Sequence, residues 1–157
     1  MNGYLIREAT AADAKSLVAL MLAYWAHEGI APREPDSLRR QVEQFLSTPA
    51  YGQGWLAVAA EEPVGYLLCT FVYSFEHGGP MAEIDELFVD AQHRQQGIGR
   101  ALLQRAQGHL AERGYVALQM QVSEHNARAQ HFWARLGLSP KAGYRLWLAP
   151  LGTWPKL

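Results

Sequence analysis

Two stretches of this chain hold residue types whose spacing can do chemistry. The first is Arg94-Gln95-Gln96-Gly97-Ile98-Gly99-Arg100. Glycines at a helix entry let the backbone approach a ligand, and the first N–H groups of a helix have no partner inside it. With the helix dipole they form an anion site suited to a pyrophosphate, to which Arg94 and Arg100 add charge. A Gly-rich turn without a ligand contains the same glycine pair, so the pair alone does not decide. A dinucleotide fingerprint fits less well: its third Gly would fall on Leu102, and it normally follows the first strand of a chain. The second stretch is Glu83-Ile84-Asp85-Glu86, a run of carboxylates on what reads as a strand. Strand alternation places Glu83 and Asp85 on one face and Glu86 on the other. Such a cluster favours a cationic substrate by raising its local concentration. The plain alternative for each carboxylate is a solvated strand end or a salt-bridge partner.

The elements that must position these groups follow from patterning. Tyr4–Arg7 reads as a short strand. Thr10 with Asp13 resembles an acidic capping box, and Leu17, Val18, Met21 and Trp25 recur at helical spacing, which predicts a first helix near residues 11–28. His27 to Pro35 is a Gly/Pro-broken connection, and a second helix shows Leu38, Val42, Phe45 and Leu46 on one face. Trp55–Ala60 and Val64–Phe75 are strands around a tight hairpin at Glu61, Glu62 and Pro63. After a break at His77-Gly78-Gly79-Pro80 comes a third strand, Ala82–Asp90, completing an antiparallel meander. Ile98, Leu102, Leu103, Ala106 and Leu110 mark a helix that Gly114 ends, and Val116–Val122 is a strand. Strand, helix, strand implies a right-handed parallel crossover. Asn126 caps a last helix with Ala129, Phe132, Trp133 and Leu136 on its apolar face. Leu138–Lys141 and Tyr144–Leu148 then close the sheet.

Bulk properties narrow the class. A chain of 157 residues suits a single domain, 1–157, able to bury about 70% of its unfolded surface without disulfides or metals. Apolar residues make up 49% and charged residues 18%, a composition that folds. A formal net charge of -1 argues against a nucleic-acid partner, which normally needs a basic face. The lone Cys69 makes no intramolecular disulfide or Cys-based zinc site and reads as a small buried hydrophobe. The His residues show no paired helical spacing with a carboxylate, so no metal is expected. Met1 to Thr10 lacks the apolar region of a signal peptide, and no run reaches the ~18 apolar residues of a membrane span. The expectation is a soluble cytoplasmic protein with no membrane partner.

Taken together, the segments are specific. Leu87, Phe88 and Val89 followed by Arg94-Gln-Gln-Gly97-Ile-Gly99-Arg-Ala-Leu-Leu103 resemble the acetyl-CoA motif of the GNAT N-acetyltransferases, Arg or Gln then x-x-Gly-x-Gly or Ala. Asn126, Ala129, Phe132, Trp133 and the Leu136-Gly137-Leu138 ending resemble that family's second motif. The order of strands and helices matches as well, so the resemblance covers essentially residues 4–149. Ile84–Val89 and Gly143–Leu148 look most like the spermidine/spermine and related small-amine branch.

The resemblance implies an α/β (α+β) GNAT fold. Its mixed central sheet would have about six to seven strands, antiparallel in the N-terminal half with a parallel crossover at the acetyl-CoA site and helices on both faces. It implies an N-acetyltransferase, an acyltransferase using acetyl-CoA as co-substrate and no metal. A primary amine of a small molecule or an exposed protein amine attacks directly in a ternary complex. Carried over, the Leu87 N–H polarises the thioester carbonyl, the Val89 backbone holds pantetheine with Phe88 also in the cofactor site, and Arg94 with Gln95, Gln96, Gly97, Ile98, Gly99 and Arg100 takes the pyrophosphate. Asn126 contacts the cofactor while capping its helix. Asp85, then Glu86, then Glu83 are the candidates for accepting the amine proton, and Asp85 and Glu86 occupy the acidic pair of the polyamine-type branch. Trp25 and Glu76 join Asp85 and Glu86 as candidates for the acceptor cleft, with Tyr24, Tyr73 and Phe75 beside them; core packing is the competing role for each.

One departure stands out. Trp133 occupies the position of the family's usual Tyr, often proposed to protonate the leaving thiolate. An indole N–H donates a hydrogen bond but is no useful acid. Trp133 either leans on the cofactor or packs in the core, and Tyr144 is a remote substitute. The departure favours the rival reading, a catalytically weak acyl-CoA-binding or sensing module. The apolar C-terminal Trp147, Leu148, Leu151 and Trp154 suit either a homodimer interface or a cap on the core.

Overall fold

The structure, a computed structural model, describes residues 3–143, 145, 146 and 148. They fall into two compact units, one up to Gln121 and one from Val122 onward.

The first unit contains a five-stranded sheet among the described residues, ordered β1 (Leu5–Glu8), β2 (Gly52–Ala59), β3 (Glu62–Ser74), β4 (Gly79–Val89) and β5 (Ala117–Met120). Neighbours from β1 to β4 run antiparallel, and β5 lies parallel to β4 after a crossover through α3 (Ile98–Glu112). The meander and the parallel crossover are therefore present, in the mixed α/β architecture expected. The β2–β3 turn is tighter than predicted. Ala60 and Glu61 alone form it, both at positive φ (48° and 68°), the twist that a two-residue hairpin requires. Pro63 already pairs with Val58 in the ladder, beside a register irregularity.

Leu138–Lys141, expected as a strand, is irregular chain instead. Pro140 has no N–H for a ladder, which disfavours strand at that point. Tyr144–Leu148 lies partly outside the described residues, and its described members 145, 146 and 148 are not in a strand. Tyr144, Trp147, Leu151 and Trp154 lie outside the described residues, as does part of the Gly143–Leu148 likeness. The sheet thus has five described strands where six to seven were expected.

Helices cover both faces of the sheet. On one, α1 (Ala14–Glu28) and α2 (Pro35–Leu46) bury Leu17, Val18 and Leu38 against Leu56, Tyr66 and Phe88. A one-turn 3-10 helix, Ala11–Asp13, leads into α1. It is tied back to β1 by Arg7, whose guanidinium nitrogens meet the Asp13 carboxylate at 2.8 and 2.6 Å. On the other face lies α3, with Leu102, Leu103 and Ala106 buried. Its buried His109 meets the Glu8 carboxylate at 3.0 Å and the Trp55 ring at 5.3 Å, which anchors this helix to β1 and β2. In the second unit, α4 (Ala127–Arg135) begins at Asn126, whose Oδ1 accepts the Ala129 N–H at 2.9 Å.

Candidate active site

The register of β4 corrects the expected distribution of its carboxylates. Glu86 pairs with Leu68 and Ile84 with Cys69, so one residue of β4, Asp85, has no partner on β3. This is a β-bulge, and it resets the side-chain alternation. Glu83, opposite Thr70, and Glu86, opposite Leu68, now share the face covered by α1 and α2. Ile84 stays on the α3 face with the buried Cys69, whose thiol is pushed up to about 12 by burial and the nearby Asp85 charge. Strict alternation had separated Glu83 from Glu86; the extra residue brings them to one side.

The bulge also marks where β4 loses a neighbour. The β4–β5 ladder runs from Met81–Ala117 to Ile84–Met120 and ends there. From Asp85 to Val89 only β3 is paired with β4 among the described residues. Leu87, Phe88 and Val89 thus lie along an unpaired edge. The Phe88 ring is buried in the core beside Tyr24 and Tyr66, and its backbone pairs with Tyr66 on β3. The carbonyl of Val89 already accepts the Arg94 Nε–H at 2.8 Å, and the Arg94 guanidinium stands 5.5 Å from the Phe88 ring centre. Arg94 therefore fastens the following loop to the end of the strand.

That loop has the conformation an anion cradle needs. Gln95 (φ 63°) and Gly97 (φ 82°) are both left-handed, and Gln95, Gln96, Gly97 and Arg100 are exposed. An L side chain at position 97 would be strained by its φ alone. The first intrahelical bond of α3 runs from the Ala101 N–H to the Gly97 carbonyl at 3.0 Å, so the N–H groups of Ile98, Gly99 and Arg100 precede the helical ladder. Ile98 buries its side chain and offers only its backbone. This set of N–H donors, between Arg94 and Arg100, fits the diphosphate of a coenzyme A.

A cavity of about 230 Å³ opens on the α1/α2 face of the bulge. Met21, Leu38, Val42, Phe45 and Leu68 give it apolar walls. Its polar groups are Trp25, Arg33, Gln41, Thr70, Asp85 and Glu86. Glu86 is 8% exposed and accepts hydrogen bonds from Trp25 Nε1 at 2.5 Å and the Tyr66 hydroxyl at 2.6 Å. Burial raises its pKa, and these two donors only partly offset that effect. Glu83 accepts from Gln119 Nε2 at 2.7 Å and Gln121 Nε2 at 2.9 Å. Asp85 receives no hydrogen bond from a described side chain. It keeps access to solvent while neighbouring atoms crowd it, and partial desolvation with the Glu83 charge raises its pKa.

The candidate residues are thus only partly gathered. Trp25, Asp85 and Glu86 share the cavity, with Trp25 holding Glu86. Glu76 sits in the turn between β3 and β4 and is not in the cavity wall, and Tyr73 and Phe75 meet edge-on at the surface. Asn126 and Trp133 belong to the second unit, where Trp133 is buried and meets Phe132 edge-on at 4.9 Å. Sequence reasoning missed Tyr66, Gln41, Thr70 and Arg33, which enter the site through packing rather than through a motif. Among the described residues no group of three or more His, Cys, Asp or Glu could hold a metal ion. No described helix is long and apolar enough to cross a membrane.

Residues 16–138 match the sequence model of the acetyltransferase (GNAT) family. An uncharacterised N-acetyltransferase of Methanocaldococcus jannaschii is 35% identical over 89 residues, 55% of this chain and 39% of that protein. The chain thus spans less than half the length of this curated relative. The fold recurs in a "possible acetyltransferase" from Clostridium difficile 630, with a TM-score of 0.83 at 19% identity over 94% of this chain and 97% of that one. It recurs in an aminoglycoside N-acetyltransferase solved with CoA, with a TM-score of 0.80 at 17% identity over 93% and 94%.

Proposed function

The chain belongs to the GNAT acetyltransferase family, and within it we propose an acetyl-CoA-dependent N-acetyltransferase that acetylates a primary amine by direct attack in a ternary complex. One observation carries this reading. At Asp85 a bulge turns a carboxylate toward a small cavity, and at the same residue β4 becomes unpaired on its β5 side. A proton acceptor and a free backbone edge thus adjoin, and the anion cradle follows within the same strand–loop–helix unit. We treat residues 1–157 as one domain, because the family match at 16–138 runs across the boundary between the two compact units.

Acetyl-CoA, when bound, supplies the acyl carbon for the new N–C bond and a sulfur that keeps the electron pair of the broken C–S bond. The chain supplies the rest. Backbone N–H groups from Gln95 to Arg100 hold the diphosphate, with Arg94 and Arg100 as counter-charges. The backbone of Val89 guides the pantetheine arm, and the Leu87 N–H donates to the acyl carbonyl, where negative charge grows in the transition state. Asp85 accepts the amine proton. For an amine with a pKa near 10.4 this deprotonation costs roughly 4–5 kcal/mol at neutral pH, and a base with a raised pKa is better matched to it. Glu86 and Glu83, each held by two side-chain donors, shape the field instead. Asn126 keeps its helix cap. Trp133 has no acid to offer, so the thiolate leaves unprotonated or takes a proton from water.

The test is release of free CoA from acetyl-CoA across polyamines, amino acids, aminoglycosides and a Lys-rich peptide, alongside thermal melts with acetyl-CoA, NAD and ATP. Release with at least one amine class is expected, together with a melting shift for acetyl-CoA alone that Gly99→Glu removes. Silence across the panel with that shift intact would transfer the assignment to the acyl-CoA-binding module.

A further inference from the structure

From the charge layout of the acceptor cavity we infer that the acceptor is a zwitterion: a small, largely apolar molecule bearing both the reacting amine and a carboxylate, which Arg33 receives. The inference rests on the proposed acetyl transfer and deepens it.

Arg33 lies on the connection between α1 and α2 and lines the same cavity as Asp85 and Glu86. It is the one Lys or Arg in that wall among the described residues. The nearby carboxylates are engaged elsewhere. Glu34 caps α2, accepting the N–H groups of Asp36 at 2.9 Å and Ser37 at 2.6 Å. Asp36 and Glu43 both face Arg39. Glu86 is closed by Trp25 and Tyr66. No described side chain pairs with Arg33, so its guanidinium fork is free to meet a ligand carboxylate with two parallel N–H donors.

The remaining wall limits what else enters. A cavity of about 230 Å³ falls below the ~300–1,000 Å³ of pockets for drug-sized ligands. Met21, Val42, Phe45 and Leu68 suit an apolar body. A polyamine or an aminoglycoside would find a single uncommitted carboxylate, Asp85, and would place its further ammonium groups beside the like charge of Arg33. A molecule with one ammonium for Asp85 and one carboxylate for Arg33 satisfies both walls, whereas a monoamine leaves Arg33 without its counter-charge.

The experiment uses the full chain with acetyl-CoA and two matched pairs of acceptors: phenylalanine against phenylalaninamide, and 6-aminohexanoate against its amide. The pairs differ in the distance from amine to carboxylate. Spermidine is measured beside them. In at least one pair the acid is expected to exceed its amide in kcat/KM by about ten- to a hundredfold, chiefly through KM, and to exceed spermidine. In Arg33→Gln the acid-to-amide ratio should fall toward one, with Arg33→Lys between the two because it keeps the charge and loses the fork. Calorimetry of the acetylated product, N-acetylphenylalanine or 6-acetamidohexanoate, binding to protein with CoA adds a readout that needs no turnover. Its affinity should drop in Arg33→Gln. Acetylation without acid preference in either pair, or a ratio untouched by Arg33→Gln, overturns the zwitterion and leaves the acetyltransferase standing. Arg33-dependent product binding without turnover of any amine keeps the zwitterion site and removes the transferase. Neither turnover nor product binding removes both.

Discussion

Arg7 presents two guanidinium nitrogens to Asp13, and Thr10 adds its backbone N–H at 2.8 Å and its hydroxyl at 3.1 Å. These donors bring the Asp13 pKa from 3.8 to about 2, the Arg7 hydrogen bonds contributing most. Asp85, in the same unit, receives no described side-chain donor, and desolvation with the Glu83 charge pushes its pKa the other way. The same functional group is thus held by the fold at one end of the sheet and held at a cost in its centre. A carboxylate surrounded by donors is stabilising and chemically inert. One left short of donors in a cavity is destabilising and available for a proton.

The sharpest way to break that contrast is Asp85→Asn. If Asp85 is the base, kcat should fall by about 10²–10⁴, the usual worth of general base catalysis, with acetyl-CoA binding retained. The stability effect has the opposite sign to that of losing a paired acid. Asp85 has a folded pKa above its unfolded one, so its ionisation lowers stability as pH rises through that window. The neutral amide should therefore melt at or above the wild-type temperature near pH 7. Steady-state rates and melts on one preparation test both halves, and a variant within a few-fold of the wild-type kcat would take the proton away from Asp85.

Glu86→Gln should act more gently and on a different constant. Glu86 already serves Trp25 and Tyr66. A Gln can accept from the indole while its amide donates to the Tyr66 hydroxyl, which is able to reverse its role. What is lost is a negative charge in the cavity wall, so KM for the amine should rise by several-fold to about tenfold while kcat changes less. A collapse of kcat with KM unmoved would make Glu86 the base and Asp85 its auxiliary.

How much of this was legible in the sequence follows the range of the forces involved. The cradle at Gly97, the Asn126 cap and the Leu5–Glu8 strand leading into a capped helix are local, fixed by residues within a few positions of one another. The parallel crossover could be read because strand, helix and strand leave few topologies open. The bulge could not, since Ile84-Asp85-Glu86 alternates like any strand and only pairing with β3 shows that Asp85 has no partner. The hairpin was displaced because Pro63 suggests a turn, yet it takes a ladder position at the strand start. Tyr66 and Arg33 reach the cavity through packing of separate elements, and no spacing rule connects them to Asp85.

The smallest effect comes from the other side of the comparison. Asp13→Ala removes an acid whose folded pKa lies below its unfolded one. Its contribution is therefore present above pH 3.8 and is lost as the pH falls toward 2. The side chain is 14% exposed and Arg7 40%, so solvent screens part of the interaction, and the loss at neutral pH should be about 1–2 kcal/mol. Denaturant unfolding of wild type and variant, at neutral pH and again near pH 2–3, tests the sign as well as the size. The difference should narrow in acid, because protonated wild-type Asp13 no longer holds Arg7. Activity should be preserved, since Asp13 lies outside the cavity wall. A penalty that stays constant with pH would mean that Asp13 contributes through packing and not through its charge, and the contrast with Asp85 would lose its electrostatic basis.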